Sequence, residues 1–340
     1  MWRNGIELLS DTQFNMVFNH GALGDVICSL PAAVHARRTH GDALTIRLWV
    51  PPWQMELIDH LMKPYGKFEI RDFTDFPMKK VEREGWGMGP VAINQMPFNT
   101  HTRNRVHMVD YAFGCLLDAR PENMAERSYP TKAPLGKSPV HAPYVVFPVG
   151  ATSENKLFKA HVMGPVIEWA LDNDCTPVLV GTKTSHTHTQ IGDDVSTKPI
   201  DIIDEVDKLP KALFDECVDL REKTTLLGLR DVLGHADAVV GVDGGTLHLA
   251  GTTDTCIIYA LGTTLPKHRY IARRGNPNHK IRYVGPRDLE CAGCQSNMTL
   301  MFHHDFRHCV YKDSLCMDKL HPEDFINGLK ELFKEYPHAE

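Results

Sequence analysis

The stretch Phe14-Asn15-Met16-Val17-Phe18-Asn19-His20-Gly21-Ala22-Leu23-Gly24-Asp25-Val26 decides how this chain folds. Residues 14–19 have the length and apolar character of a buried strand, and the glycine-bearing loop 20–25 ends it. Val26, Ile27, Leu30, Ala33 and Val34 then recur on one face of a helix. Leu44 to Val50 reads as a second strand, stopped by Pro51-Pro52, and Trp53 to Met62 as another helix. Strand, loop, helix and strand in that order form the unit of a parallel sheet.

The same alternation returns after a break. Residues 73–108 hold Gly85, Gly87, Gly89, prolines and mixed charge, and carry no assigned element before a helix over 106–117. Residues 119–143, with Pro130, Pro134, Pro139 and Pro143, have the composition of a linker. From Tyr144 the pattern resumes: strands at 144–149, 176–180, 238–242 and 256–260, and helices at 162–171, 226–235 and from Thr246. Pro322 to Lys334 forms a final amphipathic helix, with Glu323 and Asp324 in its first turn and Phe325, Leu329, Leu332 and Phe333 on its apolar stripe. The expected layout is an N-terminal α/β domain over 1–140, a C-terminal α/β domain over 141–320 with a cysteine-rich loop at 288–318, and a closing helix over 321–340. Ligands of such domains bind at the carboxyl ends of the strands, here in a cleft between the two halves.

Composition narrows the function classes. A chain of 340 residues, 42% hydrophobic and 24% charged, builds ordinary cores and is not disordered as a whole. No run approaches the roughly 18 apolar residues of a membrane span, and the N-terminus lacks signal-peptide character, so a cytoplasmic location is expected, with peripheral membrane contact left open. A net charge of −6 does not describe a globally basic nucleic-acid binder.

Three glycine- or hydroxyl-rich turns follow predicted strands. In the first, Gly21 and Gly24 allow close backbone approach, and Asp25 could take a proton from an acceptor hydroxyl or merely cap the helix. In the second, Gly150-Ala151-Thr152-Ser153-Glu154-Asn155-Lys156, hydroxyls and a lysine suit phosphate, as does a plain solvated loop. In the third, Asp243-Gly244-Gly245-Thr246-Leu247-His248, backbone N–H groups at a helix start favour an anion such as a diphosphate, and Asp243 could orient His248 or a ribose hydroxyl. Neither glycine-rich loop fits G-x-G-x-x-G, which weakens a dehydrogenase reading.

In this order the three turns resemble glycosyltransferase family 9, the heptosyltransferase-like enzymes of GT-B fold. The likeness rests on Gly24-Asp25-Val26 with Leu30-Pro31-Ala32, on Ala151-Thr152-Ser153 with Lys156, on Asp243, Gly245, His248, Leu249 and Ala250, and on Gly262 with Thr264. The resemblance implies an inverting transferase without a catalytic metal, using a nucleotide-diphosphate sugar as donor. Asp25 would be the base. Thr152, Ser153 and Lys156 would hold the diphosphate, and Asp243, Gly244, Gly245, His248 and Thr264 would complete the donor site. Two departures leave the donor sugar open: Gly244 stands where the family commonly has Ser or Thr, and Lys156-Leu157-Phe158-Lys159 replaces Lys-x-Trp-Pro.

Two further features need an account. Cys291, Cys294, Cys309 and Cys316 are spaced C-x2-C-x14-C-x6-C, and four thiolates can close a structural zinc site. His303, His304 and His308 could substitute for a thiolate; reduced core thiols or a redox-labile pair are the alternatives. Between Lys267 and Arg287 there is no acidic residue, and Arg269, Arg273 and Arg274 are expected to form an anion-binding face, with His101, Arg103, Arg105 and His107 as a facing patch. The readings in competition are transfer to an anionic bacterial surface saccharide, transfer to a hydroxylated base in DNA, and an inactive sugar-nucleotide or zinc-binding scaffold.

Overall fold

The opening strand and helix form where the apolar pattern puts them. In the computed structural model, which describes residues 13–18, 22–76, 91–93, 107–117, 120–141, 143–191, 194–294, 309 and 315–337, they are β1 (Gln13–Val17) and α1 (Leu23–His40). β2 (Thr45–Val50), α2 (Met55–Met62), β3 (Phe68–Asp72), β4 (Val91–Ile93) and α3 (Met108–Leu117) follow. The four strands lie parallel in the order β3-β2-β1-β4, with Phe14 opposite Ile46 and Met16 opposite Leu48. Every residue of α1 from Val26 to Val34 is buried, and the helix packs against α3. A helix covered on all sides needs no polar face, which is why its apolar residues exceed one stripe. Arg37 fastens its far end, donating to the carbonyls of Leu44 (2.7 Å) and Lys67.

The second sheet is larger. Its elements are β5 (Tyr144–Pro148), α4 (Ala160–Asp172), β6 (Thr176–Val180), β7 (Thr184–Ile191), β8 (Asp194–Asp201), α5 (Lys211–Asp215), β9 (Val218–Asp219), α6 (Leu226–His235), β10 (Ala238–Val242), α7 (Gly245–Ala250), β11 (Cys256–Ala260), α8 (Pro266–Arg269), β12 (Ile281–Val284), α9 (Leu315–Asp318) and α10 (Pro322–Glu335). Six strands run parallel in the order β12-β11-β10-β5-β6-β9, while β7 and β8 pair separately. β10 and β11 are buried at every position, as strands covered on both faces must be. α10 buries Phe325, Leu329 and Leu332, and Phe333 packs beside them on Trp169.

Contacts divide the chain into two units. The first runs to Pro134 and takes in His186–Pro199 and Ile271–Pro277; the second holds Leu135–Ser185, Ile200–Tyr270 and the remainder from Asn278. The proline-rich stretch is not a free tether, because Tyr129 and Ala133 within it are buried. Residues 271–277 belong with the first unit although they lie far along in sequence. No helix among the described residues is long and apolar enough to cross a membrane.

Candidate active site

In the second unit the turns after β5, β10 and β11 converge on one carboxylate. Asp243 follows β10 directly, its N–H bonded to the Ala260 carbonyl at 3.0 Å, and its side chain is 5% exposed. Lys156 Nζ lies 3.0 Å from its Oδ2 and the Thr264 hydroxyl 3.5 Å from the same oxygen. Tyr259 donates its hydroxyl to Oδ1, and His248 Nε2 stands 3.6 Å from that oxygen. Tyr259 Oη is also 3.3 Å from His248 Nε2, with the rings edge-on. Burial alone would push this carboxyl up. Lys156 first, then the hydrogen bond and charge of His248 and the charge of Arg269, hold it well below the usual carboxylate range instead.

Local backbone explains how each group arrives. Gly150 has φ +96°, and a Cβ there would meet Ile202 Cγ2 at 2.6 Å, so this turn requires glycine. A short 3-10 turn over Glu154–Lys156 then aims Lys156 back at Asp243. Thr152 is exposed, whereas Ser153 is buried and spends its hydroxyl on Asn155 Oδ1 at 2.7 Å. After Asp243, the N–H groups of Gly244, Gly245 and Thr246 precede the first helical bond, from Leu247 to Gly244 at 3.1 Å. α7 has only six residues, so its dipole is short and Lys156 is the leading positive charge beside Asp243. Gly244 is extended (φ −166°), and a Cβ there meets only the Val242 carbonyl at 3.5 Å, so steric need does not explain its glycine.

In the first unit, Asp25 occupies the first turn of α1 and is half-buried. The N-cap is Ala22, which makes no side-chain cap, so Asp25 is not the capping residue. Among the described residues its carboxylate makes no hydrogen bond or ion pair. Gly21 lies outside the described residues, and Gly24 sits in the first turn beside Asp25.

A family model for glycosyltransferase family 9 (heptosyltransferase) matches residues 108–300, more than half of the chain. This chain belongs to glycosyltransferase family 9. Among solved structures it is similar to TibC, described as a bacterial iron-containing dodecameric glycosyltransferase from enterotoxigenic E. coli H10407, at TM-score 0.69 and 18% identity over 96% of this chain and 77% of that one. TibC has also been solved with ADP-D-beta-D-heptose. The ADP-heptose LPS heptosyltransferase II of E. coli matches at TM-score 0.59 and 13% identity, over 95% of this chain and 99% of that one. The glycosyl transferase family 9 protein of Veillonella parvula DSM 2008 gives 0.59 and 14%, over 97% and 99%. No curated protein sequence matches the chain. These likenesses show the fold: two Rossmann-like α/β units of the GT-B kind. The family 9 chain is a glycosyltransferase, and the match takes in every residue around Asp243 but not Asp25.

The basic stretch of this family 9 chain does not form one surface. Lys280 pairs with Asp254 at 2.9 Å, Arg282 with Glu331 at 3.0 Å and with Glu335, and Arg287 with Asp324. The acids missing from the run are supplied by α10 and the turn before β11, a pairing invisible in local sequence. Arg269 is buried and its charge bears on Asp243. Arg273 is fully buried, which removes it from a solvent-facing patch, and Arg274 lies with the first unit. His101, Arg103 and Arg105 fall outside the described residues, and His107 is buried with its ring accepting from the Val109 N–H at 3.2 Å.

The four thiols of the cysteine cluster share a neighbourhood in the second unit. Burial, then the charges of Cys294, Cys309 and Cys291, push the Cys316 thiol up to about 12. Among the described residues, no group of three or more His, Cys, Asp or Glu side chains is placed as metal ligands. His303, His304 and His308 lie outside the described residues.

Sequence reasoning missed Tyr259. Its signal was present: a tyrosine inside a wholly buried strand must find a partner for its hydroxyl.

Proposed function

We propose that this chain transfers a sugar from a nucleoside-diphosphate donor to a hydroxyl of a lipopolysaccharide-type saccharide, with inversion at the anomeric carbon. The observation that carries the reading is Lys156 held 3.0 Å from a buried carboxylate that Tyr259 and His248 also engage. A lysine fixed by its own counter-ion is pre-oriented, so an arriving diphosphate meets a positive charge that needs no rearrangement. In this reading Asp243 touches no substrate. It positions Lys156 and His248, while Thr152, Thr264 and the N–H groups of Gly244 and Gly245 complete the donor site.

The acceptor hydroxyl attacks the anomeric carbon and gives its proton to Asp25. The bond from that carbon to the diphosphate oxygen breaks, and its electron pair leaves with the diphosphate, where Lys156 offsets the developing charge. One displacement in line inverts the centre. Asp25 suits the role because, among the described residues, no side chain engages its carboxylate, unlike that of Asp243.

The test is nucleoside diphosphate release from a panel of nucleotide sugars, headed by ADP-heptose, with and without a phosphorylated lipopolysaccharide core. Core-stimulated release that Asp25→Asn abolishes is expected. Release that no donor supports, or that survives Asp25→Asn undiminished, overturns the assignment.

A further inference from the structure

Within the first unit the far half of α1, residues 125–132 and the turn at 274–275 enclose a cavity of about 230 Å³. Pro31, Val34 and Tyr129 give it an apolar lining and are themselves buried. Arg38, Lys132 and Arg274 line it with exposed side chains. Its one carboxylate, Glu126, already accepts from the Glu122 N–H at 2.8 Å and stands 3.7 Å from His35 Nδ1. Lys132 is held over the Tyr65 ring, 5.3 Å from its centroid, while the Tyr65 hydroxyl accepts from the Thr131 N–H at 2.9 Å.

The backbone under Arg274 is a second, independent observation. Arg273 and Asn276 pair across a two-residue turn, N–H to carbonyl at 3.1 and 2.8 Å. Arg274 and Gly275, the central pair, have φ +51° and +75°. That left-handed turn favours Asn, Asp or Gly at its first central position, and an arginine there is strained. The turn is fixed from outside as well: Tyr129 N–H donates to Ala272 (3.0 Å) and Gly275 N–H to Ser128 Oγ (2.8 Å). A strained residue held by its surroundings is a mark of a functional position. Here the strain sets a guanidinium at the cavity.

We propose that this cavity binds a single sugar unit bearing a phosphate or carboxylate. It is smaller than the roughly 300–1,000 Å³ typical of larger ligands. Three basic side chains line the cavity beside one carboxylate that is already engaged, and aromatic and apolar walls suit the C–H face of a sugar ring. Arg38 lies about 20 Å along α1 from Asp25 at about 1.5 Å per residue, so the site is separate from the transfer chemistry. The ligand is either a charged unit of the acceptor, which rests on the function proposed above, or a free sugar phosphate with the same chemistry.

Calorimetric titration of the full chain with glucose 6-phosphate, glucose and inorganic phosphate tests this. Saturable binding of glucose 6-phosphate is expected, persisting in Lys156→Ala and weakened about tenfold in Arg274→Gly and in Lys132→Ala, the size of one lost charge-assisted hydrogen bond. Arg274→Gly relieves the turn, so its melting temperature should hold or rise while affinity falls; misfolding cannot mimic that pair of results. No binding, or binding lost in Lys156→Ala and kept in Arg274→Gly, overturns the site. Inorganic phosphate binding as tightly as glucose 6-phosphate overturns the sugar. A raised KM for lipopolysaccharide core in Arg274→Gly marks the acceptor as the source, and an unchanged KM marks a free sugar phosphate. These titrations need no turnover, so their failure is distinct from failure of the transfer reaction.

Discussion

Asp25 and Asp243 are both aspartates in the strand-to-helix segment that follows a parallel strand, yet the protein treats them in opposite ways. Asp25 sits half-buried in the first turn of an 18-residue helix, and no described side chain engages its carboxylate. Asp243 is buried and surrounded by Lys156, Tyr259, His248, Thr264 and Arg269. A carboxylate with spare lone pairs can accept a proton from a substrate. One whose oxygens are engaged, and whose neighbours keep it ionised, serves as a fixed negative charge. The contrast teaches that an aspartate's role in this fold is set by its partners, not by its place after a strand.

Each half of the contrast can be broken. Asp25→Asn should cut kcat about 10²- to 10⁴-fold, the usual worth of a general base, with donor binding nearly intact and stability within about 0.5 kcal/mol. Steady-state kinetics beside thermal melting would show this; a large fall in stability would mean that Asp25 is structural after all. Lys156→Ala should lower kcat about 10²- to 10³-fold and weaken nucleoside diphosphate binding, as read by product inhibition.

Asp243→Asn breaks the other half and should destabilise the chain by about 3 kcal/mol, measured by denaturant unfolding at pH 7. The sign with pH follows from its lowered pKa. The stability it contributes is complete above the ordinary value of 3.8 and is lost only as pH falls through the lower folded value. Wild type and Asp243→Asn should therefore converge in strong acid and differ fully at neutral pH. A constant gap down to the most acidic pH at which the fold survives would contradict the pairing. The smallest effect belongs to Tyr259→Phe, at about 1 kcal/mol of stability for one buried hydrogen bond. As a positioning residue it should raise the donor KM more than it lowers kcat, and an equal change in both would argue for direct contact with the transition state.

Much of this was legible before any coordinates. The strands over 238–242 and 256–260 and the helix over 226–235 fall where apolar period and flanking turns put them, because strands buried on both faces write themselves as short apolar runs. β3 and β12 were not legible: Phe68–Asp72 and Ile281–Val284 mix charge with apolar residues and join the sheets at their edges. The basic run at 267–287 misled, since neutralising acids come from α10 and the turn before β11. Tyr259 escaped notice because its partner lies 16 residues away.

The sequence by itself determined the alternation of strands and helices and the two α/β halves, since these depend on local periodicity and turn chemistry, and it carried the residues by which the chain resembles family 9. Only the tertiary structure decided which charges meet. It turned Asp243 inward onto Lys156 and Tyr259, left Asp25 unengaged among the described residues, spent Ser153 on Asn155 and carried residues 271–277 into the first unit. Electrostatic partnership depends on distance in space, and chain order does not encode that distance.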